Sequence, residues 1–325
     1  MSVVIVGVLV GLVTVRFFRI ACGEILMSPA LERRNYRNKR IPTAGGLFIV
    51  LAVLSIEAGR CVLGALGVGS ETGLTLARSE MLFAVVAFAF LGMIDDLAAV
   101  GEDRGFKGHL RALRHGRVTT GLLKLVGGAA AAVVLVATPG FKSGRTLIVD
   151  AMLIALAANL GNLLDRAPGR TIKAGLIAYV PIALVLGTAP IGIALAPVMG
   201  ASLGLLPDDL RERLMLGDTG ANVIGAALGL AIVLGTNSWF RLIVMIVLLA
   251  LNVAAERISF SDVIGRVGVL HAIDMWGRVR PPAGPPGTAA RVGRAGRAGP
   301  YPGPPAGPGP GPFPGQPPGR QSRFR

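Results

Sequence analysis

Two adjacent carboxylates, Asp95 and Asp96, close an apolar run in LGMIDDLAAV, and a third, Asp218, opens another in MLGDTGANVIG. Between them in the chain stand Lys124, in TTGLLKLVGG, and Asn159, Asn162 and Asp165, which recur every three residues in NLGNLLDRAPGR. Neighbouring carboxylates repel unless a cation sits between or beside them. Carboxylate and amide oxygens are also the hard donors that Mg²⁺ accepts, with positions left for phosphate oxygens and water. A lysine and basic loops beside such a centre would hold polyanions. The chemistry open to this set is phosphoryl transfer between a nucleotide and a lipid phosphate, in which a metal neutralises a diphosphate and the cations take the remaining charge. Taken singly, Asp218 reads better as a helix cap or dipole partner than as a ligand. The functional reading needs the residues to converge.

Convergence is the work of the elements that carry them. Of the 325 residues 52% are hydrophobic and only 16% charged, and the mean hydropathy is +0.64, well away from a soluble domain. Aromatics are 5%, and the apolar mass is Leu, Val, Ile, Ala and Gly, which suits closely packed membrane helices rather than barrel strands. The expected fold is an all-α polytopic membrane protein of about nine transmembrane helices, near residues 3–22, 43–66, 81–99, 119–138, 146–164, 172–188, 190–206, 219–235 and 239–256. The sixth and seventh are open to a second reading as one kinked re-entrant element about GTAPIG (187–192). Loops 23–42, 100–118, 165–173 and 207–218 hold most of the loop Lys and Arg, so they are placed in the cytoplasm. The N-terminus is then outside, the C-terminus inside, and the polar residues at span ends gather on the cytoplasmic face, joined by Asn252 and Glu256 of the last span. Cys22 and Cys61 fall near opposite faces, which excludes a disulfide between them.

Formal net charge is +15, and six of the arginines lie after Pro281 in a Pro/Gly-rich segment without an acid. That change of composition divides the chain into an integral membrane domain, 1–280, and a disordered cytoplasmic tail, 281–325. No aromatic-plus-basic RNA motif or recognition helix is present, so the basic loops are read as partners of the lipid bilayer rather than of nucleic acid.

The motifs NKRIPTAGG (38–46), GMIDDL (92–97), NLGNLLD (159–165) and MLGDTGANVIG (215–225), in this order, resemble those of the polyprenyl-phosphate N-acetylhexosamine-1-phosphate transferases. The resemblance covers about residues 1–280. It implies a Mg²⁺-dependent enzyme of the bacterial plasma membrane, with its active site on the cytoplasmic face, acting in cell-envelope glycan synthesis. Its substrates would be a UDP-activated amino sugar and undecaprenyl phosphate, its released product UMP, and a homodimer is an assembly it allows. By the same resemblance Asp95, Asp96 and Lys124 would be catalytic, and Asp218 with Asp96 would hold the metal. Lys39, Thr43, Asn159, Asn162, Asp165, Arg166 and Asp208 would line the donor side.

Three departures stand out. Arg166 and Pro168 replace the glycine and second acid that commonly follow Asp165 in the family, and Asp208 replaces an asparagine ten residues before Asp218. The family's His-rich loop near the C-terminus gives way to ERISFSDVIGRVGVLHAIDMWGR, whose one histidine is His271. The resemblance therefore does not select the donor sugar, and a catalytically inactive relative that binds lipid-linked precursors or scaffolds envelope assembly is the alternative. A transporter is disfavoured because the charges gather at one face.

Overall fold

The computed structural model describes residues 1–69, 73–98, 119–137 and 143–279, which fall in one compact unit, Met1–Val279. The basic loop expected at 100–118 and the tail after 280 lie outside the described residues. Nine long helices are present among them: α1 (Ser2–Ala21), α2 (Leu47–Ala65), α3 (Leu76–Ala98), α4 (Thr120–Ala137), α5 (Gly144–Leu164), α6 (Arg170–Leu186), α7 (Pro190–Leu210), α8 (Gly217–Gly235) and α9 (Ser238–Ala255). Eight are long and apolar enough to cross a membrane; α6, at 17 residues, is slightly shorter. Two short helices follow, α10 (Phe260–Arg266) and α11 (Gly268–Met275). The sixth and seventh spans are separate helices: Pro190 occupies the first turn of α7, where its missing N–H and fixed φ suit a helix start. Cys22 and Cys61 are free thiols.

Helix α8 forms the centre. From Thr219 to Ala231 every one of its side chains is buried, and it packs against α3, α5, α6 and α7. Small residues permit this: a Cβ on Gly225 would lie 2.2 Å from the Ala157 carbonyl oxygen of α5, so backbones approach closely there. Helices α1 and α9 lie at the outside, with only Val4, Gly11 and Val15 of α1 and Met245 of α9 buried.

Several helices run further than apolarity alone indicates. Helix α3 starts at Leu76, α6 at Arg170, and α7 continues to Leu210, so Arg78, Arg170, Lys173, Asp208 and Asp209 are helical and buried rather than in loops. Each charge has a partner on a neighbouring element, which offsets the desolvation that would otherwise end the helix. Arg78 and Arg60 pair with the buried Glu57 at 2.5 and 3.2 Å, and Arg241 pairs with Asp150 at 2.5 Å. These pairs lie in the halves of α2, α3, α5 and α9 away from Asp96 and Asp218, which corrects the expectation that polar residues within spans collect on one face. The segment expected as a plain basic loop at 23–42 contains an antiparallel hairpin, β1 (Glu32–Arg34) with β2 (Arg40–Pro42).

Candidate active site

The site is assembled where the segment after β2 meets the start of α8. Pro42 accepts a hydrogen bond from the Met215 N–H, and the N–H groups of Gly45 and Gly46 donate to the carbonyls of Met215 and Leu216. This backbone ladder fixes the PTAGG segment beside Gly217, whose φ of +71° is accessible to glycine at little cost. A Cβ there would also meet Asp96 Oδ2 at 2.6 Å and Thr43 Oγ1 at 2.8 Å. Helix α3 approaches just as closely, since a Cβ on Gly92 would lie 2.3 Å from the Asp218 carbonyl oxygen.

The two adjacent aspartates of α3 have separate tasks. Asp96 accepts four hydrogen bonds: from the N–H groups of Asp218 (3.1 Å) and Thr219 (3.0 Å), the Thr219 hydroxyl (2.6 Å) and the buried Thr43 hydroxyl (3.3 Å). It therefore caps the N-terminus of α8 from another helix, meeting donors that have no partner within α8. Asp95 instead faces Lys124, whose ammonium lies 3.7 Å from Asp95 Oδ2 and 2.5 Å from Asp218 Oδ2. The Asp95 carboxyl is also within hydrogen-bond reach of Asp218. Two carboxylates from α3 and α8 thus share one lysine from α4, and all three side chains retain some access to solvent.

Asp165 follows α5 directly and reaches the same region. Burial, then the nearby carboxylates of Asp209, Asp218 and Asp96, push its carboxyl well above the ordinary range. Acids placed this way call for a cation or a shared proton. Asp209 had no signal in the sequence beyond its place in PDDL. It is buried in the last turn of α7 and accepts from the Gly169 N–H at 2.8 Å and from the Leu216 backbone, joining the 165–169 turn to the approach to α8. Glu212 was also unmarked. It accepts from Asn35 Nδ2, Tyr36 Oη and Arg37 Nε at 2.9, 3.0 and 3.2 Å, anchoring the hairpin. Tyr36 gains a raised pKa from burial and from that carboxylate.

Other expected site residues point elsewhere. Asp208 is buried against α1, paired with Arg16, with Arg213 at 3.4 Å and with Arg19 at 3.8 Å. Consecutive helical residues are about 100° apart, so of the 208–209 pair one faces α1 and the other faces the 165–169 turn. Asn159 donates to Asn252 Oδ1 of α9 at 2.7 Å. The i, i+3, i+6 series drifts by about 120° around a helix, so Asn159 and Asp165 do not share a face. Asn162 lies between them, half-buried. Lys39 is exposed on the hairpin turn and Arg166 is exposed on the 165–169 turn.

Arg170 and Lys173 are committed to the C-terminal helices. Arg170 grips Asp274 with Nε and Nη2 at 2.9 and 3.0 Å and donates to Ser261 at 2.8 Å. Lys173 Nζ donates to the carbonyls of Ile273, Asp274 and Trp276 at the end of α11, at 2.8, 2.6 and 3.2 Å. Arg278 joins Asp274 and donates to the Pro168 carbonyl at 3.0 Å. Burial alone would raise the Asp274 carboxyl, but Arg170 and then Arg278 and Lys173 hold it below the usual value.

Among the described residues no three side chains of His, Cys, Asp or Glu form a closed metal-ligand set. Asp96 has both oxygens engaged at α8. Asp218 and Asp95, already drawn together around the lysine ammonium, offer an open pair of hard donors, which fits a divalent ion completed by substrate oxygens and water.

No protein-family model matches the chain. It is similar to curated proteins named phospho-N-acetylmuramoyl-pentapeptide-transferase. The one from Deinococcus radiodurans is 28% identical over 252 aligned residues, covering 73% of this chain and 77% of that protein. Those of Borreliella burgdorferi (27% over 243 residues, 66% of each chain) and Limosilactobacillus fermentum (25% over 257 residues, 73% and 75%) are similarly distant.

Proposed function

We propose that the chain, a divergent member of the polyprenyl-phosphate N-acetylhexosamine-1-phosphate transferase family, is a membrane enzyme that transfers a sugar 1-phosphate from a UDP-activated amino sugar to undecaprenyl phosphate. The observation that carries this reading is the lysine of α4 held between carboxylates of α3 and α8 at a helix N-terminus. That arrangement sits at the end of the membrane helices, where a lipid phosphate and a soluble nucleotide can meet. The names of the curated relatives support the reaction class and a role in cell-wall synthesis. The divergent C-terminal region leaves the amino sugar to be determined.

In this reaction an oxygen of the lipid phosphate attacks the phosphorus next to the sugar. The P–O bond to the uridine-bearing phosphate breaks, and UMP leaves with the bridging oxygen. Lys124 neutralises the phosphates as the pentacoordinate centre forms. Asp95, facing outward from α3, takes the proton of an acceptor phosphate that arrives as the monoanion. Asp218, beside Asp95, would hold the divalent ion, Mg²⁺ by the nature of the donors, with substrate oxygens and water completing its shell, and when bound it would supply charge neutralisation to the diphosphate. Asp96 keeps the first turn of α8, and with it Asp218, in place. Asp165 and Asn162, on the loop side, are the donor-facing residues, with the positive-inside charge distribution assigning this end to the cytoplasm.

The test is release of UMP by purified protein supplied with undecaprenyl phosphate, Mg²⁺ and, in turn, UDP-N-acetylglucosamine and UDP-N-acetylmuramoyl-pentapeptide. Turnover of one donor, lost in Asp218→Asn with folding intact, is expected. No UMP from any UDP-amino sugar overturns the proposal.

A further inference from the structure

Helices α10 and α11 have the reverse of the polarity expected of a surface segment. The one side chain buried within α11 is the carboxylate of Asp274, 7% exposed, held by Arg170. Apolar residues point outward instead: Val269 is 71% exposed and Trp276 70%, and Val263, Val267, Leu270 and Ile273 are exposed too. Lys173 binds the last carbonyls of α11, so the helix is fastened at Asp274 and at its C-terminal end, while Val269 and Ile273, about 100° or more round the helix from Asp274, and Trp276 just beyond it face away. Large apolar side chains this exposed on a helix held from within call for a partner.

We infer that α10 and α11 form an interfacial strap that lies in the headgroup region of the bilayer, with Trp276 and the valines entering the acyl boundary. Three observations select lipid as the occupant. The strap follows α9 directly, and exposed apolar residues run through both, from Ile243, Ile246, Val247 and Val253 of α9 by way of the exposed Ile258. It begins within a few residues of the end of that span, at the depth of the membrane surface. The segment that follows it is Pro, Gly and Arg with few large apolar side chains, which does not suit it to cover the strap. Arg257 and Arg266 flank the apolar residues, but Glu256 and Asp262 do so as well, so apolar insertion rather than net charge supplies the attachment. Indole at this position matches the preference of tryptophan for the membrane interface. Through Arg170, Lys173 and Arg278 the strap would hold the 165–169 turn, and so Asp165, at the membrane surface.

The proposal does not depend on the transferase reading and fails separately from it. Trp239→Phe leaves Trp276 as the one tryptophan of the chain. The full-length variant is reconstituted in phosphatidylcholine vesicles containing lipid brominated near either the headgroup end or the methyl end of its acyl chains. Trp276 should lose most of its emission with the shallow quencher and much less with the deep one. The pattern should persist with or without phosphatidylglycerol, and Val269→Asp with Leu270→Ser should abolish it. No quenching, as when water, a second copy or another segment faces the strap, overturns the proposal. So does stronger quenching by the deep label, and so does a requirement for anionic lipid. If the double variant does not fold, Val269→Ser alone should reduce the shallow quenching, and unchanged quenching again counts against the strap.

Discussion

Replacing Asp96 by Asn tests the separation of tasks within the aspartate pair. The two side chains have the same shape, but Asn offers one acceptor oxygen where Asp96 uses two, and its amide would face an N–H of Asp218 or Thr219. At least one backbone donor at the start of α8 is then left without an acceptor, and the charge at the helix N-terminus is gone. A hydrogen bond to a charged group contributes about 1.5–3 kcal/mol and the dipole about 0.3–1 kcal/mol, so a loss of about 2 kcal/mol is expected after partial compensation by the remaining oxygen. About 2 kcal/mol is roughly a 30-fold change in a local opening equilibrium. Hydrogen exchange of the peptide spanning 216–222 should therefore accelerate by about that factor in metal-free, substrate-free protein, while peptides of α1 and α7 stay unchanged. Thr219→Val, which removes one donor to the same carboxylate, should act in the same direction and more weakly. Unchanged exchange at 216–222 in Asp96→Asn would refute the capping role and return Asp96 to the metal or the substrate.

Further consequences can be measured directly. Lys124→Met leaves Asp95 and Asp218 facing each other without their shared cation, and the UMP-release rate should fall about 100-fold; a rate within about threefold of the parent would remove Lys124 from the machinery. Asp208→Asn strands the guanidiniums of Arg16, Arg19 and Arg213 between α1 and α7. It should cost about 2–3 kcal/mol in unfolding assays after discounting for their exposure, with the donor KM nearly unchanged; an altered KM at unchanged stability would restore the donor role that its position suggests. Arg78→Met leaves Glu57 buried beside the half-exposed Arg60 alone and should destabilise by about 3 kcal/mol, most of it recovered in the double variant with Glu57→Gln; no recovery would argue against the pair. Asp274 is held below its ordinary value in the folded chain, so its contribution is complete above the unfolded carboxylate value and is lost as pH falls through the lower folded one. The shallow quenching of Trp276 should accordingly change as pH falls below the usual carboxylate range, and quenching that stays constant through that acid range would show that the Asp274 clamp does not hold the strap.

Hydropathy was sufficient for about nine helices and their approximate places, because a bilayer demands about twenty apolar residues with every backbone group bonded internally, but it left GTAPIG open between a break and a kink, and the structure decides for two helices, α6 and α7. The motifs carried the resemblance to a transferase family and marked Asp95, Asp96, Lys124 and Asp218, which the fold brings together. What periodicity could not supply was direction. Asp95 and Asp96 are adjacent and chemically identical, as are Asp208 and Asp209, yet one of each pair faces the Lys124 or Asp165 region while the other is engaged by another element. The difference is about 100° of helix rotation, set by which neighbouring backbone or arginine stands opposite. Helix ends were misjudged for a related reason: Arg78, Arg170 and Lys173 end an apolar run in sequence, but partners more than twenty or a hundred residues away let the helices continue through them. Composition decides which segments leave water. Only packing decides which face of each segment meets the others, because the energy that selects it comes from contacts between residues distant in the chain.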